Sequence, residues 1–377
     1  MSATTNDAAP PSSGALPPGE QAGAPGGPGS PGSAGDPSDP LGLFGRTVAG
    51  RFVVVRYLGS TSVAHIYRAV HTLMEQPCFL KISPPDPTTD DGIPLSLKRE
   101  AQAVARSHHT SVLRLFDAGI KEDLAYLAQE WSDGPNLRAI MSRGADVAVP
   151  DLMDLGLQLL DSICALHRQG IVLRAFDPER ILVPPVGAKP RLRLFDLSRI
   201  AFMGEALARE SAKASKHPTG FRIRSTRYMA PEEIREEPAE PRSDLYSFGV
   251  LLCEMITGEY PYQPRGSGPT AYVISHLRED VRPLVFEGRP EIPDDLPGII
   301  RRLLSKDPKD RFETAEAARR ALEDIIVPDL VRLNTPSDRH VLEAWRRRVK
   351  VGLRSSVAMQ VQSTPPLGLD SQDPDAD

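Results

Sequence analysis

The stretch that decides the fold is Gly170-Ile171-Val172-Leu173-Arg174-Ala175-Phe176-Asp177-Pro178-Glu179-Arg180-Ile181-Leu182-Val183. Just before it, Leu152, Leu155, Leu159, Ile163 and Leu166 recur every three or four residues, the stripe of an amphipathic helix. Gly170 stands where such a helix stops. Further upstream the pattern changes to strands. Residues 51–58, 64–70 and 78–82 are β-branched and aromatic runs, the first two joined by a short polar turn. A Pro/Asp/Thr-rich loop leads to a helical run over 95–106, rich in Ala, Arg, Glu and Lys, and strand-like runs follow over 112–116 and 124–129. Downstream of Asn136 the helical period dominates. Residues 244–258 have an almost wholly apolar middle (Phe248, Val250, Leu251, Leu252, Met255, Ile256), the mark of a buried helix, and helical patterns recur over 296–326. No internal repeat is present.

The quoted stretch resembles the catalytic loop of serine/threonine protein kinases, whose pattern is G-I-V-H-R-D-x-K-P-E-N-I-L-V. Tyr228-Met229-Ala230-Pro231-Glu232 resembles the A-P-E element, and Asp244-Leu245-Tyr246-Ser247-Phe248-Gly249 the buried-helix signature that follows it. Lys306-Asp307-Pro308 with Arg311 resembles K-D-P-x-x-R. These elements, in family order and spacing, cover roughly residues 50–327 and are most similar to bacterial members. The resemblance implies an α+β, two-lobed protein-kinase-like fold: a small β-rich N-lobe with one main helix, and a larger helical C-lobe. The expected domains are a disordered tail over 1–45, an N-lobe over 46–133, a C-lobe over 134–327, and an extension over 328–377.

Phosphoryl transfer needs phosphates cradled, metal ions held and a nucleophile oriented. Against the family pattern, the carboxylate that orients the substrate hydroxyl falls at Ala175, the γ-phosphate lysine at Asp177, and the metal-binding asparagine at Arg180. The usual histidine is Leu173, while Arg174 is kept. Of the glycine-rich loop only Gly59 remains; Thr61 and Ala64 carry a Cβ where backbone approaches phosphate. By resemblance the nucleotide-binding candidates are Gly59, Ile66, Lys81, Glu100 and Glu130. Phe79, however, falls where the family has a small alanine against adenine, and is expected to fill the base pocket. The D-F-G element reads in two registers. Leu194-Phe195-Asp196 loses the metal aspartate, whereas Asp196-Leu197-Ser198 keeps Asp196 as a metal candidate. Residues that hold the helical lobe in the family, Glu232, Asp244 and Arg311, are all present. Arg174 with Ser225 and Thr226 forms a candidate phospho-switch; a plain structural ion pair is the alternative for Arg174.

Composition bounds the rest. Residues 1–40 hold nine prolines and eight glycines and no Lys, Arg or aromatic residue, too little apolar surface to offset ordering entropy. The net charge of −5 divides as −4 over 1–40, +3 over 41–368 and −4 over 369–377, so nucleic-acid binding by bulk charge is disfavoured. No run of 18 apolar residues exists, and no membrane span is expected. Cys78, Cys164 and Cys253 read as reduced thiols of a cytoplasmic protein. A basic helix is expected near 337–350, before an acidic disordered end. The combined reading is a catalytically inactive pseudokinase, a regulator or scaffold in Ser/Thr phosphorylation. It would bind a protein partner such as an active kinase or its substrate, and require no cofactor. The alternatives are a weak Ser/Thr kinase using ATP and Mg²⁺, and a nucleotide sensor without turnover. Lys81 and Glu100 support the sensor; Phe79 and the missing glycines oppose it.

Overall fold

The computed structural model describes residues 39–61, 63–142, 149–174, 177–186, 189–203, 226–238, 240–266, 268–284 and 292–332. Most of the expected N-terminal tail, the helix near 337–350 and the acidic end lie outside the described residues. Six strands form the first sheet: β1 (Thr47–Val48), β2 (Phe52–Ser60), β3 (His65–His71), β4 (Gln76–Ser83), β5 (Leu115–Lys121) and β6 (Leu124–Glu130). Their order is β1-β2-β3-β4-β6-β5, antiparallel throughout. Helix α1 (Leu95–Arg106) buries Leu97 against Ala125 and Leu127 of β6, and turns Glu100, Ala103 and Val104 inward.

One strand differs from expectation. Residues 112–116 read as β from their own side chains, but the strand begins at Leu115 and runs on to Lys121. Val112 makes a single bridge to Leu194, and its N–H bonds back to the His109 carbonyl. Asp117, Ala118 and Gly119 are weak β-formers. Pairing with the apolar β6 draws them into the sheet, so cross-strand context overrides propensity.

The second lobe is helical. Its elements are α2 (Leu137–Met141), α3 (Val149–His167), α4 (Pro231–Ile234), α5 (Pro241–Thr257), α6 (Pro269–Arg278), α7 (Leu296–Leu303) and α8 (Ala315–Arg332). The leucine stripe of α3 is buried, and Gly170 closes that helix region at φ 73°. Gly258 caps α5 in the same left-handed conformation, as its sequence position suggests. Helix α6 carries no clear apolar stripe; its mark in the sequence is Pro269 in the first turn, after Gly268. Helix α8 runs on past Pro328 to Arg332, beyond the 326 limit read from the sequence, since one proline deletes a rung without forcing a stop.

Short paired strands tie the quoted stretch in place. β7 (Ile171–Val172) pairs with β12 (Ala201–Phe202), and β8 (Ile181–Leu182) with β11 (Arg193–Leu194). Between them lies a small hairpin of β9 (Pro185–Val186) and β10 (Lys189–Pro190). All three cysteines are buried and free. Among the described residues, no helix is long and apolar enough to cross a membrane.

Helices α5 and α7 touch closely because residue 249 has no side chain. A Cβ added at Gly249 would lie 2.7 Å from Leu303 Cβ. Gly249→Ala is therefore expected to lose about 1–3 kcal/mol through overpacking, measured as a lower urea midpoint with an unchanged slope.

Candidate functional site

Strand β4 alternates, so Phe79 and Lys81 share one face, turned toward the second lobe. Lys81 Nζ lies 2.5 Å from Glu100 Oε1 on α1 and 2.9 Å from Asp196 Oδ1, with all three side chains 1% exposed or less. The Leu197 N–H donates to Glu100 Oε1 at 2.9 Å, and the Ser198 N–H to Asp196 Oδ1 at 3.1 Å. The segment is thus seated beneath α1 with Asp196, not Leu194, facing the lysine. Of the two registers, Asp196-Leu197-Ser198 is the one whose first residue meets Lys81.

Electrostatics follow from this geometry. Burial alone would lower the Lys81 ammonium, but Asp196 and Glu100 outweigh it and hold it above its ordinary value. Burial would raise the Asp196 carboxyl, yet Arg180 and then Lys81 hold it well below the usual carboxylate range. Burial pushes Glu100 upward against the pull of Lys81, so Asp196 is the firmly ionised carboxylate of the two.

The second oxygen of Asp196 faces the other substituted position. Arg180 Nη1 is 3.2 Å from Asp196 Oδ2, an ion-pair distance off hydrogen-bond geometry, and 3.4 Å from Ser198 Oγ. Arg180 ends a 3₁₀ turn, Pro178–Arg180, whose first residues are capped by Asp177: its Oδ1 accepts the Glu179 N–H at 3.0 Å. Arg199 shares this corner, and burial together with Arg180 pushes its guanidinium down to about 10. Ala175 lies outside the described residues. Among the described residues, no group of three or more His, Cys, Asp or Glu side chains is placed to hold a metal ion.

Phe79 sits in an apolar cluster with Ile66 of β3, Leu113 and Leu182 of β8, and is 6% exposed. Its ring lies 4.3 Å from that of Trp131 and 4.3 Å from that of Phe195. Trp131 escaped the sequence reading, and Phe195 entered it only as the middle residue of Leu194-Phe195-Asp196, not as a ring against Phe79. Their signal was a tryptophan just past β6 and an aromatic residue one place before Asp196. Gln129, opposite Phe79 in the ladder, was also missed: it is wholly buried and its amide has no hydrogen-bond partner among the described residues.

The remaining candidates scatter. Gly59, at φ 141°, is the penultimate residue of β2, before a turn closed by Thr61, whose N–H bonds the Ala64 carbonyl at 2.8 Å. The Glu130 carboxylate is taken by Arg193 at 2.6 Å and Arg114 at 3.3 Å. Arg174 holds a left-handed φ of 59°, strained for a side-chain-bearing residue. Asp244 maintains it: its two oxygens accept the Arg174 N–H at 2.7 Å and the Leu173 N–H at 2.8 Å, and His167 lies 2.7 Å away. The Arg174 guanidinium bonds Glu233 at 3.1 Å. Thr226 precedes the turn at Tyr228, while Ser225 lies outside the described residues. Arg311 grips Glu232 with two bonds of 2.6 and 2.8 Å in the buried base of the second lobe.

Because Lys81 is shared by two buried carboxylates, Lys81→Met leaves Glu100 without its cation and Asp196 with Arg180 alone. A loss of about 3–5 kcal/mol is expected by urea denaturation, where an exposed lysine would cost almost nothing.

Comparison with known proteins agrees with this geometry. Residues 52–322 match the protein kinase domain. The chain is 26% identical to serine/threonine-protein kinase PrkC of Bacillus subtilis over 73% of its own length and 40% of the relative's. It is 28% identical to serine/threonine-protein kinase pkn3 of Myxococcus xanthus, covering 74% of this chain and 51% of the relative. It is 26% identical to serine/threonine-protein kinase PknB of Mycolicibacterium smegmatis, covering 78% and 46% respectively. The chain thus spans about half or less of these relatives' length. With its sheet-and-helix lobe, helical second lobe and conserved order of motifs, it belongs to the protein kinase family, among relatives of the bacterial serine/threonine type.

Proposed function

We propose that this chain is a pseudokinase, a kinase-fold regulator or scaffold that binds a protein partner and transfers no phosphate. One observation carries the reading: Phe79 packs in an apolar cluster between β3 and Leu182, at the position where, by resemblance, the family has a small alanine against the adenine ring. A base entering there displaces a ring already stacked on two aromatic neighbours. The residues around Asp196 also do not fit a divalent metal, because cationic side chains face both of its oxygens. Together with the replaced positions Ala175 and Asp177, these features remove the orienting base and the charge handling that lower the barrier. A Ser/Thr kinase, or a substrate of one, is the partner class that fits a retained kinase fold, and no cofactor is required.

A second reading, nucleotide binding without turnover, draws on the intact Lys81–Glu100 pair. The cluster around Phe79 weighs against it.

The full chain is expected to transfer no labelled phosphate from ATP to itself or to a basic protein substrate, and millimolar ATP with Mg²⁺ is expected to leave its melting temperature unchanged. Transfer abolished by Lys81→Met overturns the pseudokinase reading. A saturable ATP-dependent stabilisation without transfer instead favours the sensor; at a hundredfold excess over Kd it amounts to about 2.7 kcal/mol.

A further inference from the structure

Four ionisable side chains meet between the lobes: Lys81, Glu100, Asp196 and Arg180, with exposures of 1%, 0%, 1% and 14%. The first three alone are unbalanced, two carboxylates against one ammonium, in a space with little access to water. Burying an uncompensated charge is among the costliest defects a fold can carry. In a kinase cleft that takes a divalent metal, the metal supplies the missing positive charge. Here a guanidinium stands 3.2 Å from the second oxygen of Asp196.

We infer that Arg180 is a built-in substitute for the metal cation, carried at the end of the turn that Asp177 caps. The placement is specific. The Phe195 N–H bonds the Arg180 carbonyl at 3.0 Å, continuing the β8–β11 ladder by one rung, so residue 180 is fixed beside the Asp196 segment. The Asp177 carboxylate caps the 3₁₀ turn that ends at Arg180, and the Arg180 N–H closes that turn on the Asp177 carbonyl at 2.8 Å. Two substitutions that are losses for phosphoryl transfer are therefore coupled gains for structure. One brings a cation to the buried carboxylate, and the other shapes the turn that delivers it. Lobe closure through Lys81 and Asp196 then needs neither metal nor nucleotide. The inference rests on the reading that the cleft does not use metal and nucleotide, but its tests need no phosphotransfer.

The test is thermal melting of the full chain. Arg180→Met is expected to melt lower by roughly 5–10 °C. Arg180→Lys keeps the charge and is expected to recover most of that loss, which separates charge from packing. In an Asp196→Asn background Arg180→Met should add little, so that the pair is coupled at least tenfold in the unfolding equilibrium. Arg180→Asn, melted in EDTA, should also fall and then recover saturably with millimolar Mn²⁺, whereas the native chain gains nothing from Mn²⁺. Additive losses, a native chain stabilised by Mn²⁺ as much as the variant, or an Arg180→Asn variant that gains nothing, overturns the inference. Phosphotransfer by the native chain would sink the pseudokinase reading while leaving the Arg180–Asp196 coupling intact, so the two failures are distinguishable.

Discussion

Lys81 sits on an inner strand of the sheet, Glu100 on the helix beside it, and Asp196 on the segment that rises from the helical lobe. The ammonium is the point at which the two lobes share a charge. Its position depends on the period of β4, on the inward face of α1, and on the β8–β11 pairing that presents Asp196. Each element is ordinary by itself. What couples them is that three almost wholly buried ionisable groups are tolerable only together, so the cluster specifies one relative placement of strand, helix and segment.

A second set of buried polar contacts does the same for the helical lobe. Asp244 holds two N–H groups of the strained turn at Leu173 and Arg174, and Arg311 closes on Glu232 beneath it. Glu254 gathers Arg138, Arg227 and the Tyr228 hydroxyl around one carboxylate. These contacts constrain the backbone of the loop that in the family carries the chemistry, while the chemical side chains themselves are replaced. Retention follows mechanical need: a residue that fixes a backbone cannot be lost without moving several neighbours.

Much of this was legible in the sequence because it is written locally. The leucine stripe of α3, the apolar middle of α5 and the glycines that cap these segments are short-range signals, and their elements lie where those signals place them. The placement of Phe79 on the face of Lys81 was legible as well, because strand alternation sets it. What could not be read is what depends on pairing between distant segments. The true start of β5 is set by β6, and the register at Asp196 by β8. The roles of Asp177 and Arg180 were read only as losses, since their partners Glu179 and Asp196 become visible once the turn and ladder are built. Trp131 and the contact of Phe195 with Phe79 were missed for the same reason: a stack of three rings from three segments leaves no periodic trace.

The ring of Phe79 has one consequence that concerns concentration. A cleft closed by a soluble ligand gains stability in proportion to the logarithm of that ligand's level, and loosens when the ligand is scarce. A ring carried by the chain itself is present at a fixed local concentration set by a covalent tether, and dilution cannot remove it. On the proposed reading, closure by Phe79 is therefore a zero-order property of the molecule, independent of how much nucleotide surrounds it.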